Sequence, residues 1–126
     1  MEQNMVGWFE IPVVDMDRAK TFYEAVFEVQ IQVHDMGGTV MGWFPWAEGK
    51  PGAAGSLIKN PDWYTPNNTE GVLVYFGSTD VQIEMDRIAS AGGKILKPKT
   101  QISPDVGYMA LFLDTEGNRI ALHSRG

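Results

Sequence analysis

The sequence predicts an α+β fold of two βαβββ modules that form a curved mixed sheet around a cleft, with both helices on its outer face. An extended segment followed by an amphipathic helix and three further extended segments occurs twice along the chain. The two occurrences are separated by the segment 60–71, which is rich in proline and asparagine. We therefore predict a single domain, 1–126, with one module at about 1–60 and the other at about 70–126.

The first module begins with the extended segment WFEIPVV, in which apolar residues alternate with Trp8 and Glu10. Asp15 is the expected N-cap of the first helix, whose apolar residues recur at helical spacing as far as Phe27. Three strands separated by turn residues follow, and they are predicted at 29–35, 39–46 and 53–58.

The second module begins with the strand GVLVYFGS at 71–78. Thr79 and Gln82 have the spacing of a capping box, and the helix that they begin is expected to end at Gly92. Gly117 supplies the positive φ that the turn of the last hairpin requires. The three strands after the helix are predicted at 94–98, 106–113 and 118–124.

The composition excludes several classes of function. The chain has a net charge of -6 and only ten Lys and Arg residues, which argues against a nucleic-acid or acidic-membrane partner. The absence of cysteine excludes a thiolate metal site and a cysteine nucleophile. No run of about 18 apolar residues indicates a membrane span, and the N-terminal segment lacks the pattern of a secretory signal. We therefore predict a cytoplasmic protein with no nucleic-acid or membrane partner.

Two stretches of the sequence resemble a known family. They are DMDRAK-x-FY at 15–23 and D-x-EGNRI-x-L at 114–122. Together with the paired modules, they resemble the vicinal oxygen chelate superfamily, which includes glyoxalase I, bleomycin-resistance proteins and extradiol dioxygenases, and within it the glyoxalase-related proteins of unassigned activity. The resemblance implies the fold, but the superfamily hosts lyases, isomerases, dioxygenases, thiol transferases and non-catalytic binders on one scaffold.

The resemblance also implies where a metal ion would bind. Metal-dependent members hold a divalent ion with His and Glu side chains from the first and last strands of each module. The corresponding positions fall at Trp8, near Ser56, near Val74 and at Ala121, with an uncertainty of about one residue for the middle two. Because neither Trp8 nor Ala121 can bind a metal ion, we predict no metal site and no cofactor. A metal-dependent lyase or dioxygenase with relocated ligands is a weaker alternative.

Glu10 and His123 are the candidate catalytic residues. Each lies two residues beyond an implied ligand position, so it shares that position's face of the strand. Glu10 could hold His123 in one tautomer and make it a general base that removes a proton next to a carbonyl. In the alternative interpretation, His123 is an exposed strand end and Glu10 is solvated or paired with Arg119. His34, beside a turn, is expected to be solvated.

Aromatic side chains are the main candidates for ligand binding. Four tryptophans in a small chain can line an apolar cleft that stacks a flat or aliphatic ligand, or they can fill the core or a dimer interface. With the implied ligand positions, the candidate binding residues are Trp8, Trp43, Trp46, Ser56, Val74, Tyr108 and Ala121.

Three functions of different class follow from these residues. The first is a homodimeric binding protein that takes a small organic molecule in its cleft without a metal ion. The second is a metal-independent lyase or isomerase that uses Glu10 and His123 as an acid–base pair. The third is a scaffold whose exposed aromatic residues contact another protein.

Overall fold

The computed structural model describes residues 4–126, so residues 1–3 of the predicted domain lie outside it. Two βαβββ modules are present, which confirms the predicted α+β class. The elements of the first module are β1 (Trp8–Pro12), α1 (Met16–Phe27), β2 (Gln32–Asp35), β3 (Val40–Trp43) and β4 (Ala54–Lys59). Those of the second are β5 (Val74–Gly77), α2 (Val81–Ala91), β6 (Lys94–Ser103), β7 (Gly107–Leu113) and β8 (Arg119–Ser124).

Each module forms its own four-stranded mixed sheet. The strand order is β1-β4-β3-β2 in the first sheet and β5-β8-β7-β6 in the second. In both sheets the first and last strands of the module pair in parallel, and the other neighbours pair antiparallel. β1 and β5 are therefore edge strands, and each presents an unpaired edge.

The core is shared between the modules. It contains the buried faces of α1 and α2 together with one face of each sheet. Phe9 of β1 is in contact with Phe44 and Phe76, and the ring centroids lie 5.7 Å apart in both pairs. The ring of Phe9 lies so close over Gly55 that a Cβ there would overlap it, so β4 requires glycine at this position. This packing assigns Phe9 and its alternate neighbours in β1 to the face that covers the helices.

The helix caps agree with the sequence at α1 and differ at α2. Asp15 caps α1 as predicted, and its side chain accepts a hydrogen bond from the N–H of Arg18 at 3.1 Å. The N-cap of α2 is Asp80 rather than Thr79, because the extended Asp80 accepts from the N–H of Gln82 at 3.0 Å. The predicted end of α2 is confirmed, since Gly92 has φ 104°.

Strand β6 is longer than predicted. It continues past Pro98 to Ser103 because its pairing with β7 is irregular between Lys97 and Thr100. The irregularity leaves the proline outside the register, where it has no ladder hydrogen bond to donate. Neither helix in the part of the chain that the structure describes has the length and apolar character of a membrane span.

Residues 114–118, which we call the Asp114 turn, connect β7 to β8 and bind the second module to the first. Oε1 of Glu116 accepts hydrogen bonds from the N–H groups of Val14 and Asp15 at 2.7 and 2.8 Å. Its Oε2 accepts from Nε of Arg18 at 2.7 Å. The two stretches that carry the family resemblance are therefore in direct contact, where they hold the start of α1 against the last hairpin.

Asp114 and Asn118 extend this contact. Oδ2 of Asp114 accepts from the hydroxyl of the buried Tyr23 at 2.7 Å, and Nδ2 of Asn118 donates to the carbonyl of Pro12 at 2.7 Å. Burial raises the pKa of the Asp114 carboxyl. Burial acts in the same direction on Glu116, but the hydrogen bonds from Arg18 and from the backbone outweigh it, so the pKa of the Glu116 carboxyl is lowered.

Candidate functional site

One face of the first sheet points away from the helices. Direct pairing places Trp43 opposite Ser56 and Ser56 opposite Glu10, so the three side chains form one row across β3, β4 and β1. Because side chains alternate along a strand, Trp8 lies on the same face as Glu10. We call this surface the tryptophan face, and it comprises Trp8, Glu10, His34, Met41, Trp43 and Ser56.

The carboxylate of Glu10 is held in place by two aromatic side chains. Its Oε1 accepts from the hydroxyl of Tyr64 at 2.7 Å, and its Oε2 accepts from the indole N–H of Trp8 at 3.4 Å. The hydrogen bond to Glu10 raises the pKa of the Tyr64 hydroxyl, which therefore remains a donor at neutral pH. Tyr64 lies in the connection between the modules, so that segment forms part of the site.

Ser56 is buried beneath this surface. Its side chain has no exposed area, and its hydroxyl finds no hydrogen-bond partner within residues 4–126. Nε2 of His34 is likewise buried and unpaired in the described chain, and the imidazole ring lies 4.1 Å from the ring of Trp43. Most buried polar groups in folded proteins are hydrogen-bonded, so two such groups on one face require an explanation.

The corresponding face of the second sheet has different chemistry. Pairing places Tyr75 opposite Ala121 and Gly77 opposite His123, which assigns these four residues to one face. Ala121 is buried, whereas Tyr75 is half exposed. Apart from His123 and the phenol of Tyr75, the paired positions of β5 and β8 on this face carry no polar side chain.

Glu10 and His123 do not form the predicted hydrogen bond. Glu10 is bonded to Tyr64 and Trp8, whereas Nε2 of His123 lies 2.7 Å from the carbonyl oxygen of Val106. A carbonyl can only accept, so Nε2 carries the proton, and the tautomer is set by the backbone instead of by Glu10. The alternative pairing of Glu10 with Arg119 is not formed either.

Three of the predicted binding residues lie elsewhere. Val74 pairs with Ile120 of the core, and its neighbour Tyr75 takes the position opposite Ala121, one residue from the expected register. Tyr108 packs against the core on the helix side, with Nζ of Lys99 4.6 Å from its ring centroid. Trp46 is exposed and lies beyond the end of β3, in the loop 44–53, because that strand stops at Trp43.

With Tyr75 in place of Val74, the four metal positions that the resemblance implies are Trp8, Ser56, Tyr75 and Ala121. An indole N–H and a methyl group offer no lone pair to a metal ion, and two neutral hydroxyls are weak ligands for a divalent ion. The described residues also contain no group of three or more His, Cys, Asp or Glu side chains that could hold a metal ion. This donor set does not fit the ion that the family's metal-dependent members use.

Sequence reasoning placed two residues of this site elsewhere. His34 was expected to be solvated, yet its ring packs on that of Trp43. Its place in β2, directly opposite Met41 of β3, is the signal that assigns it to this face. Tyr64 lies in the irregular connection between the modules and was not among the predicted binding residues. Its contact with Glu10 joins residues 54 apart, which no local pattern indicates.

Comparison with known proteins agrees with the fold. Residues 5–122 match the family model of the Glyoxalase/Bleomycin resistance protein/Dioxygenase superfamily. A glyoxylase-like domain-containing protein of Didymella fabae is 27% identical over 125 residues, which cover 95% of this chain and 93% of that protein.

Two solved structures show the same architecture. TnmS3, an antibiotic binding protein from Streptomyces sp. CB03234, has a TM-score of 0.69 at 23% identity, over 100% of this chain and 99% of TnmS3. Glyoxalase I from Zea mays has a TM-score of 0.71 at 21% identity, over 94% of this chain and 45% of the maize chain. This chain thus spans somewhat less than half the length of the maize enzyme. At these identities the structures establish the fold alone. Because the family model matches nearly the whole chain, the protein belongs to the Glyoxalase/Bleomycin resistance protein/Dioxygenase superfamily.

Proposed function

We propose that the protein binds a small organic molecule with a flat apolar part on the tryptophan face, and that binding requires no metal ion. The observation that carries the proposal is the combination of two partly exposed indoles with a buried, unpaired hydroxyl on one face. Trp8 and Trp43 expose 44% and 38% of their surface, so each ring has an area that a ligand can cover. Aromatic rings favour offset or edge contacts with a flat molecule.

Polar groups on the same face supply orientation. Ser56 offers a hydroxyl and His34 a ring nitrogen, and both are without a partner in the described chain. Glu10 is already aligned by Tyr64 and Trp8, so a ligand can bond to it without first ordering the carboxylate. A mostly apolar surface with a few fixed polar groups is the usual composition of a small-molecule site.

The donor set at the implied metal positions supports the metal-independent part of the proposal. Binding members are found in this superfamily, and the structural neighbour TnmS3 is described as an antibiotic binding protein. For the present chain we propose a binding role of this general kind, with the ligand unspecified beyond its flat apolar part.

We further propose that the protein acts as a homodimer in the cytoplasm. Support for self-association comes from exposed apolar side chains on the outer edge strands of the two sheets. They are Val33 on β2 and Ile95, Leu96 and Ile102 on β6. Native mass spectrometry of the untagged protein would show a dimer mass, whereas a monomer at micromolar concentration would contradict this part of the proposal.

The binding proposal can be tested with N-phenyl-1-naphthylamine, a neutral aromatic probe whose fluorescence rises in apolar surroundings. We expect saturable binding that dialysis against EDTA leaves unchanged. Trp43→Ala and Trp8→Ala should each weaken binding about tenfold, since a buried aromatic contact contributes about 1.4 kcal/mol.

Trp63→Ala is the matched control, because Trp63 lies in the connection, is 83% exposed and takes no part in the tryptophan face. It should leave the affinity for the probe unchanged. Equal effects of all three substitutions would contradict the proposal, and so would binding that appears only after a divalent metal is added.

A further inference from the structure

A cavity of about 200 Å³ lies at the junction of the two modules. One wall is the edge strand β1, through Glu10 and Pro12, and a second is formed by the first residues of β5 and β8. The connection closes a third side through Thr65 and Asn67. We call this space the seam cavity. It differs from the tryptophan face, with which it shares only Glu10.

Two opposite charges line the seam cavity without neutralising each other. Glu10 and Arg119 both contribute to its surface, yet neither takes part in an ion pair within residues 4–126. A charge in a partly enclosed site loses hydration, and this loss is offset only when an opposite charge or a hydrogen-bonding group approaches. Glu10 already accepts hydrogen bonds from Tyr64 and Trp8 but has no cationic partner in the described chain. Arg119 has no anionic partner there, so each side chain can gain an ionic partner from a ligand.

The walls of the seam cavity are fixed before any ligand binds. Asn118 donates to the carbonyl of Pro12 on β1 at 2.7 Å and accepts from the N–H of Asn67 in the connection at 3.0 Å. The N–H of Arg119 also bonds to the carbonyl of Asn67 at 3.4 Å. Glu10 is held by Tyr64. Since these contacts join all three walls, a ligand would lose less affinity to the ordering of the protein.

The surface of the seam cavity is more apolar than polar. Ile11, Val72, Val74 and Ile120 contribute to it. A ligand that fits must therefore be small, must have an apolar part, and must carry a positive group for Glu10 and a negative group for Arg119.

We infer that the seam cavity binds a small zwitterion with an ammonium group, a carboxylate and a short apolar side chain, which is the chemistry of an aliphatic amino acid. Arg119 receives the carboxylate, for which a guanidinium is a favourable partner. Glu10 receives the ammonium group. Val72 and Val74 contact the side chain. This inference goes beyond the proposed function and does not depend on it, because the tryptophan face can bind its ligand with the seam cavity empty.

Isothermal titration calorimetry with L-valine, isobutylamine and isovalerate tests the inference. The amine lacks only the carboxylate of L-valine, and isovalerate lacks only its amino group. We expect saturable binding of L-valine, and binding at least about tenfold weaker for each of the other two compounds, because each leaves one of the two partly enclosed charges without an ionic partner. Equal binding of the three compounds, or no binding of L-valine, would overturn the inference.

Substitutions identify the site. Arg119→Met and Glu10→Gln should each weaken L-valine binding at least about tenfold, while a folded far-ultraviolet circular dichroism spectrum is retained. Arg125→Met is the matched control, since Arg125 is an exposed arginine whose guanidinium donates to the backbone carbonyl of Asp105, outside the cavity. If Arg119→Met binds L-valine as the wild type does, the assignment is wrong. L-valine and N-phenyl-1-naphthylamine are titrated separately, so the failure of either proposal can be told from that of the other.

Discussion

The Asp114 turn and the tryptophan face both bury polar side chains, but they treat their hydrogen-bonding groups in opposite ways. In the turn, Glu116 accepts from two backbone N–H groups and from Arg18, and Asp114 accepts from Tyr23. On the face, Ser56 and His34 have buried atoms with no partner in the described chain. The comparison indicates that the turn contributes to stability, whereas the face retains groups that stability alone does not require.

The residues that carry the family resemblance and the positions implied for metal ligands differ in the same way. The residues of the turn and of the start of α1 match the family, and the structure gives them a role in joining the modules. The positions at which the resemblance implies metal ligands fall on the sheets, at Trp8, Ser56, Tyr75 and Ala121. The contacts that join the modules and the residues on the exposed sheet faces are therefore separate parts of the chain, and a fold can support different chemistries.

The largest expected effect is on the turn. Glu116→Ala removes the carboxylate and leaves the N–H groups of Val14 and Asp15 without their acceptor. We expect the free energy of unfolding to fall by about 3 kcal/mol, because charged hydrogen bonds are lost and partly buried donors are left unpaired. Urea denaturation followed by circular dichroism measures the change.

Glu70→Ala is the control for this substitution, since Glu70 is exposed and its side chain is in no ion pair of the described residues. It should change the free energy of unfolding by about 0.5 kcal/mol or less. A similar small effect of Glu116→Ala would remove the distinction between the turn and an ordinary surface carboxylate.

The acid dependence of stability gives a second, smaller effect. The pKa of Glu116 is lower in the folded protein than in the unfolded chain, so its contribution is present above the unfolded pKa and is lost as pH falls through the folded one. Asp114 has the opposite sign, because its raised pKa favours the folded state at low pH, and this contribution is lost as pH rises through the folded pKa. The two therefore oppose each other in acid.

Glu116→Gln separates the two contributions. The variant is expected to be less stable than the wild type near neutral pH, but to lose less stability between about pH 5 and pH 3, a range that begins above an ordinary glutamate pKa and ends below it. Urea denaturation at several pH values measures both slopes. Other carboxyls with lowered pKa, such as Glu24 and Asp80, are present in both proteins and do not affect the difference. Parallel slopes would contradict the assigned role of Glu116.

Local rules predicted the parts of the fold that local interactions determine. Asp15 and Gly92 were assigned as helix boundaries because capping depends on residues a few positions apart. The alternation in β1 placed Trp8 and Glu10 on one face for the same reason. Thr79 was predicted as a cap from its spacing to Gln82, and this prediction was wrong, because the neighbouring Asp80 caps the helix instead.

The face of a strand was harder to assign where both faces are apolar. In β7, Tyr108, Ala110 and Phe112 alternate with Met109 and Leu111, so the pattern does not indicate which set covers the core. At β5, a shift of one residue exchanged Val74 for Tyr75 and so reversed the face. The contact between Glu10 and Tyr64 depends on the path of the connection, which no periodicity describes.

The smallest expected effect gives the closest comparison, because it concerns two serines that are equally buried. Ser124 has two partners: its hydroxyl accepts from the N–H of Val81 at 3.1 Å and donates to the carbonyl of Gly126 at 3.0 Å. Ser56 has none in residues 4–126. Replacing Ser124 by alanine should therefore cost about 1 kcal/mol, since it leaves a buried N–H unpaired.

Replacing Ser56 by alanine should instead leave the free energy of unfolding unchanged or raise it by up to about 1 kcal/mol, because an unpaired hydroxyl is removed from a buried position. Urea denaturation of both variants measures the difference in sign. If Ser56→Ala does not destabilise the fold but weakens the binding of a ligand that hydrogen-bonds to the hydroxyl, then Ser56 has a role in the site. If Ser56→Ala were as destabilising as Ser124→Ala, the Ser56 hydroxyl would contribute to the stability of the fold. The tryptophan face would then resemble the Asp114 turn, contrary to what its unpaired groups indicate.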